Sequence, residues 1–204
     1  MKCKWTLNLR ENEYKKKQRE IKRQNEYGRN LMDFLQLAEN RYSVRKFTKR
    51  PVEREIIDKI LRAGTLAPTA KNLQPQRILV MDTQETLEKL DRATKCRFGA
   101  PAAMLVCYDR DACWKRDRYD GKSSGEVDAA IVTTHMMLAA ASLGIGTTWV
   151  MHFDPVAMRK EFEVPANYEP VAVLIMGYPA PDAEPSAMHK ERRSVSELVS
   201  FDRF

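Results

Sequence analysis

The stretch "EVDAAIVTTHMMLAAASLG" (126–144) constrains the fold more than any other part of this chain. It runs for about five helical turns. Alanine, methionine and branched aliphatics occupy nearly every side, and Gly144 closes it. A helix that is hydrophobic all round has to be buried. Most of its surface should therefore be covered, which makes it the central helix of a domain with other elements packed about it. The chain has 204 residues, enough for one domain with a full core, or a domain plus an appendage.

Four apolar runs supply the strands: "RILVMDT" (77–83), "AAMLVCYD" (102–109), "GTTWVMHF" (146–153) and "YEPVAVLIMGYPA" (168–180). Helical spacing appears in "NLMDFLQLAEN" (30–40) and "QETLEKLDRATK" (84–95). It is strongest in "PVEREIIDKILRAG" (51–64), where Ile56, Ile57, Ile60 and Leu61 form a stripe and Gly64 is placed to end the helix. Asp154 followed by Pro155 reads as an N-cap with proline at the first helical position, opening "DPVAMRKEF". "TLAPTAKNLQPQ" (65–76) is a loop. The polar run 110–125, with Trp114 and Tyr119 embedded, is either a lid over a site or an exposed excursion. Helices and strands thus share one layered domain.

The net charge of +7 is local. Residues 1–30 hold ten Lys/Arg against four Asp/Glu and so carry +6, leaving +1 for the other 174 residues. That N-terminal arm reads as a solvated helical or flexible extension. A nucleic-acid-binding arm is the other reading, and no aromatic or groove-reading pattern accompanies the charge. Nothing in "MKCKWTLNLRENEYKKK" resembles a secretory signal, and no run of 18 apolar residues suggests a membrane span. Cys3, Cys96, Cys107 and Cys113 form no C-x-x-C pair, so free thiols in a reducing cytoplasm are expected. His135, His152 and His189 are too scattered for a metal site, and no metal is expected.

Several nucleotide sites are excluded. Gly144-Ile145-Gly146 follows a helix, and Trp149 stands where a dinucleotide fingerprint needs its third glycine. There is no P-loop and no G-x-S-x-G. Two cationic clusters and a polar loop remain: Arg41-x-Ser43-x-Arg45, Lys190-x-Arg192 with Arg193, and Pro68-Thr69-Ala70-Lys71-Asn72-Leu73-Gln74. In an extended chain Arg41, Ser43 and Arg45 share one face, suited to an anion. Forked guanidinium donors match phosphate oxygens, and Asn or Gln amides match a heterocycle edge. Taken one at a time, each is also ordinary surface charge or turn chemistry.

The ordered set "RYSVRKFTKRPVEREIIDKIL", "APTAKNLQPQRILV", "GAPAAMLVCYD", "AAASLGIGTTWV", "EPVAVLIMGYP" and "KERRSVSELV" resembles the FMN-dependent nitroreductase family from about residue 31 to the end. The resemblance implies an α+β fold, a mainly antiparallel sheet flanked by helices, in an intertwined homodimer. It implies FMN bound by Arg41, Tyr42, Ser43 and Arg45, with Lys190 and Arg192 on the phosphate. Pro68, Thr69, Asn72 and Gln74 would come from the partner subunit, and Thr148 and Trp149 would lie beside the flavin ring. It implies no catalytic side chain: NADH or NADPH delivers hydride to flavin N5, and a nitroaromatic, quinone or similar small acceptor removes it in a ping-pong cycle. Residues 1–30 lie outside the resemblance, and nucleic acid and membrane are not expected partners.

Overall fold

The computed structural model describes residues 34–204. Residues 34–40 are helical, and the basic arm lies outside the described residues. The body runs from Arg41 to Phe204. In chain order it contains α1 (Arg54–Thr65), β1 (Gln76–Met81), α2 (Gln84–Ala93), β2 (Ala102–Asp109) and α3 (Gly125–Ser142). Then come β3 (Gly146–Val150), α4 (Pro155–Glu161), β4 (Tyr168–Gly177) and a short α5 (Val195–Leu198). Single 3-10 turns occupy Ala70–Asn72 and Ala187–Lys190.

The strand order is β1-β2-β4-β3, and every neighbouring pair is antiparallel. The fold is α+β. β2 lies inside the sheet and is buried along its whole length, which is why its sequence is apolar from Ala102 to Tyr108. Its alternate residues feed two cores. Met104 and Val106 pack with Ile57 and Ile60 of α1 and Val132 and Met136 of α3. Leu105 and Cys107 pack with Leu90 of α2 and Met158 of α4 on the other face. The result is three layers, with α1 and α3 on one side of the sheet and α2 and α4 on the other.

Two expectations need correction. Within one chain, α3 buries only one side, through Asp128, Ala129, Val132, Thr133, Met136 and Ala140. Val127 is 56% exposed, and Ile131, Thr134 and Leu138 are half-buried, because the sheet and α1 cover a single side. Gly64 does not end α1, which continues through Thr65. Gly64 is buried, and a Cβ there would lie 2.9 Å from Met136 Cγ and 3.0 Å from its sulfur. The glycine lets α1 approach α3 closely.

β1, α2, β3 and β4 end inside their expected spans, while β1 starts one residue before its span, at Gln76. β1 stops at Met81 because Thr83 caps α2, its hydroxyl accepting from Thr86 N–H at 3.3 Å. α2 stops at Ala93 and β3 at Val150. Asp154 caps α4 as expected, accepting from Val156 N–H at 2.8 Å. β4 stops at Gly177, beyond which the chain bonds the 46–48 segment instead: Thr48 N–H donates to Tyr178 O at 2.9 Å and Ala180 N–H to Lys46 O at 3.0 Å.

A polar cluster secures that corner. Tyr178 donates its hydroxyl hydrogen to Glu53 Oε2, and Arg50 pairs with Glu53 Oε1 at 2.5 Å while stacking 4.1 Å above the Tyr178 ring. The Tyr178 hydrogen bond, then the Arg50 one, lowers the Glu53 carboxyl from 4.5 to about 2. A carboxyl whose folded pKa is depressed stabilises the fold above its unfolded pKa and loses that contribution as it protonates. We expect wild-type thermal stability to exceed that of Glu53→Gln above pH 4.5, and the gap to close as pH falls from 4.5 towards 2. Melting curves of the two proteins that stay parallel across this window would refute the assignment.

Candidate functional site

The segment from Arg41 to Thr48 lies along the outer edge of β3. Ser43 bridges Thr147 in parallel, Val44 N–H donates to Thr147 O at 3.0 Å, and the Thr148 hydroxyl donates to Val44 O at 2.5 Å. Val44 is only 2% exposed and anchors the segment, while Arg41 and Ser43 are half-buried and Arg45 is exposed. Two separate stretches singled out in the sequence are thus joined by backbone pairing. Arg45 Nη1 donates to Ser43 O at 3.3 Å, which turns its guanidinium back along the segment.

β3 presents contrasting residues here. Thr148 is tied to Val44, whereas Thr147 Oγ1 is buried with no hydrogen-bond partner among the described residues. An unpaired buried hydroxyl costs roughly 1–3 kcal/mol, so the position is suited to a further polar group. Trp149 is half-buried and, by alternation, lies on the same sheet face as Thr147. It is therefore not simply a core residue.

The C-terminal tail returns to this edge. Tyr42 donates its hydroxyl hydrogen to Ala183 O at 3.1 Å, and its ring meets the edge of His189 at 6.1 Å. Lys190 follows directly and is exposed. Arg192 is exposed too, with Nη1 donating to His189 O at 2.7 Å and Glu191 O at 2.6 Å. Nearby cations are neutralised: Lys46 pairs with Asp182 at 2.8 Å and Arg50 with Glu53. Among the described residues no carboxylate lies in ion-pair distance of Arg41, Arg45, Lys190 or Arg192.

The Pro68–Gln74 loop is elsewhere. Pro68, Asn72 and Gln74 are exposed, and Thr69 is half-buried with its hydroxyl accepting from Gln74 N–H at 3.1 Å. Lys71, Asn72 and Gln74 all have positive φ, at 51°, 55° and 50°. Left-handed conformations at non-glycine residues cost roughly 1–3 kcal/mol each and cluster at functional sites. Ala70 N–H donates to Asp128 Oδ1 at 2.9 Å. Sequence reasoning missed Asp128, although a second carboxylate two residues after Glu126, directly ahead of the apolar part of the run 126–144, was a signal.

Strand pairing measures the separation. Gln76, just after the loop, pairs with Tyr108, which pairs with Glu169 at the start of β4. Thr147, beside Ser43, pairs with Met176 near the end of β4. The two segments stand at diagonal corners of the sheet, on the order of 25 Å apart from three inter-strand steps and seven residues of rise. The length of α3 agrees: its first turn holds the loop, its far end leads into β3, and its 18 residues span about 27 Å.

The 110–124 excursion is ordered. Lys115 and Ser123 form an antiparallel bridge, Arg116 binds Asp120 through two bonds of 2.7 Å, and Cys113 is buried. It stands at the same corner as the loop, and its Tyr119 is 86% exposed. His135 Nδ1 lies 2.9 Å from Ile131 O, its own helix backbone, and His152 lines a cleft of about 350 Å³ with Arg92, Thr94 and Lys95. Among the described residues no three His, Cys, Asp or Glu side chains cluster to hold a metal, and no helix is long and apolar enough to cross a membrane.

A family model described as the nitroreductase family matches residues 38–98 and 93–178. The crystal structure of a nitroreductase family protein from Clostridium difficile 630 superposes with a TM-score of 0.78 at 43% identity, covering 82% of this chain and 97% of that one. A Methanothermobacter thermautotrophicus protein bearing the name NADH dehydrogenase/NAD(P)H nitroreductase is 32% identical over 176 residues, 79% of this chain and 88% of the relative. A Bacillus subtilis protein named as an NAD(P)H-dependent FMN reductase is 28% identical over 155 residues, 68% of this chain and 62% of its own length. With the antiparallel sheet and its flanking helices in common, the chain belongs to the nitroreductase family.

Proposed function

We propose that this protein is an FMN-dependent oxidoreductase that takes electrons from NADH or NADPH and reduces a small electron-poor acceptor such as a nitroaromatic or a quinone. The observation that carries the reading is the set of cations at the β3 edge, Arg41, Arg45, Lys190 and Arg192, which among the described residues have no carboxylate in ion-pair distance and stand beside a Thr147 hydroxyl with no hydrogen-bond partner there. The names borne by the relatives point to the same chemistry.

These residues suit FMN. Arg41, Lys190 and Arg192 offer forked or point-charge donors for the phosphate. Tyr42, through Ala183 and His189, holds the tail so that Lys190 and Arg192 stay near Arg41. Ser43 and Thr148 brace the segment against β3, and Trp149 offers a partly open aromatic face. Arg45 would supply positive charge to a reduced ring, which would favour reduction. When bound, FMN would supply the hydride relay between donor and acceptor. The protein then provides position and electrostatics, with no side-chain nucleophile or acid. Donor and acceptor would use one binding face in turn, giving ping-pong kinetics.

A homodimer belongs to this proposal. The Asn72 loop and Arg41 are too far apart in one chain to hold one flavin, whereas a two-fold pair can bring one chain's loop to the other's cation edge. The half-exposed side of α3 and the tail apolar residues Val195, Leu198 and Phe201 offer surface for such a partner. The described cysteines are free thiols, in keeping with a cytoplasmic location.

A visible spectrum tests the proposal. The purified protein should be yellow, bleach anaerobically with NADH or NADPH, and regain colour when a quinone or nitroaromatic is added. A colourless protein that takes up no added FMN would sink it.

A further inference from the structure

We infer that Asp128 is a positioning residue that fixes the flavin-facing loop and the 110–124 excursion relative to each other, so that one buried carboxylate governs both cofactor retention and acceptor selection. The inference rests on the oxidoreductase reading above. Asp128 is 2% exposed in the first turn of α3. A buried carboxylate is unfavourable unless hydrogen-bonded, so its partners define its purpose. Among the described residues none of them is a cation at ion-pair distance. Oδ1 accepts from Ala70 N–H at 2.9 Å and Oδ2 from the Ser124 hydroxyl at 2.7 Å. The positive end of the α3 dipole favours the charge there.

Each partner belongs to a different segment. Ala70 opens the 3-10 turn that runs into the left-handed residues Lys71, Asn72 and Gln74. That turn is otherwise closed by its own bonds, Asn72 N–H to Thr69 O at 2.9 Å and Leu73 N–H to Ala70 O at 3.1 Å. These bonds preserve its shape without fixing where it stands. Asp128 supplies the fixed point at its leading end. Ser124 closes the excursion, donating its N–H to Trp114 O at 2.9 Å. The same carboxylate is thus bonded to both segments.

The geometry distinguishes three variants. Asp128→Ala removes both links. Ser124→Ala removes only the side-chain links to the excursion, the 2.7 Å bond to Asp128 and the same hydroxyl's 3.3 Å contact with Trp114 O, and leaves Ala70 held. Asp128→Asn can keep both, its amide oxygen accepting from Ala70 N–H and its NH2 donating to the Ser124 oxygen. FMN dissociation constants, steady-state constants with a simple quinone, and melting temperatures should be measured for all three.

Asp128→Ala should raise the FMN dissociation constant about tenfold and the quinone KM as well. Ser124→Ala should raise the quinone KM while leaving FMN affinity unchanged. Asp128→Asn should return both to within about threefold of wild type. If Asp128→Ala and Ser124→Ala lower only the melting temperature, Asp128 is merely structural and the inference fails. It fails equally if Asp128→Asn is as defective as Asp128→Ala. Should Asp128→Ala not fold, the contrast between Ser124→Ala and Asp128→Asn still decides. A wild-type protein that binds no flavin overturns the oxidoreductase reading instead. In that event, exchange of the Ala70 amide hydrogen tests positioning alone: faster in Asp128→Ala and not in Asp128→Asn supports it, and equal rates refute it.

Discussion

Replacing Arg41 with alanine is expected to weaken FMN binding roughly tenfold to a hundredfold, the effect of losing one charge-assisted hydrogen bond. Arg41 is half-buried against the β3 edge and has no carboxylate partner among the described residues. Its removal therefore breaks no ion pair among the described residues, and the melting temperature of the flavin-free protein should hardly change. Arg62→Ala on exposed α1 surface is the control, removing the same charge far from Ser43 and Thr147. Titrating flavin-free protein with FMN by fluorescence compares the two. Equal affinities for Arg41→Ala and wild type would remove Arg41 from the site. Since one cation among four is deleted, added salt should narrow the difference.

Residue patterns revealed some of this arrangement, and the physical reasons for the failures differ. The alternation of Arg41, Ser43 and Arg45 announced an extended segment with an anion-suited face, but its seat against Thr147 and Thr148 is a long-range pairing that no local pattern encodes. The apolar run 126–144 announced burial, yet burial by whom is a tertiary question: sheet and α1 cover one side, and the other is left for something else. Gly64 illustrates the ambiguity of a single letter. A glycine that ends a helix and one that admits a neighbouring helix look identical until Met136 is placed beside it. The strained loop was legible only at Asn72, since lysine and glutamine do not favour the left-handed region and Lys71 and Gln74 are held there by context. Asp128 was overlooked because a carboxylate near a helix start is ordinary dipole chemistry. Its two partners come from segments that only the fold brings together.

Two variants that each hold flavin poorly should regain a working site when paired in one dimer. Arg41→Ala removes the cation at one corner of the sheet. Asn72→Ala removes the amide at the diagonal corner and places alanine at a φ of 55°, which it tolerates less well than asparagine. If each flavin is held by Arg41 of one chain and Asn72 of the other, each homodimer of a variant has two damaged sites. The heterodimer concentrates both defects in one site and leaves the second intact. Co-expressing the variants with different affinity tags and purifying through both should give a dimer with about half the wild-type flavin occupancy, at FMN concentrations where the parents are nearly empty. A heterodimer no better than its parents would mean that both residues serve a site within one chain. The roughly 25 Å between the corners would then require the loop to leave its place on Asp128. A chain that stays monomeric in solution would defeat the prediction more directly. Recovery to about half would establish, from function alone, that the cofactor cradle is built across two chains.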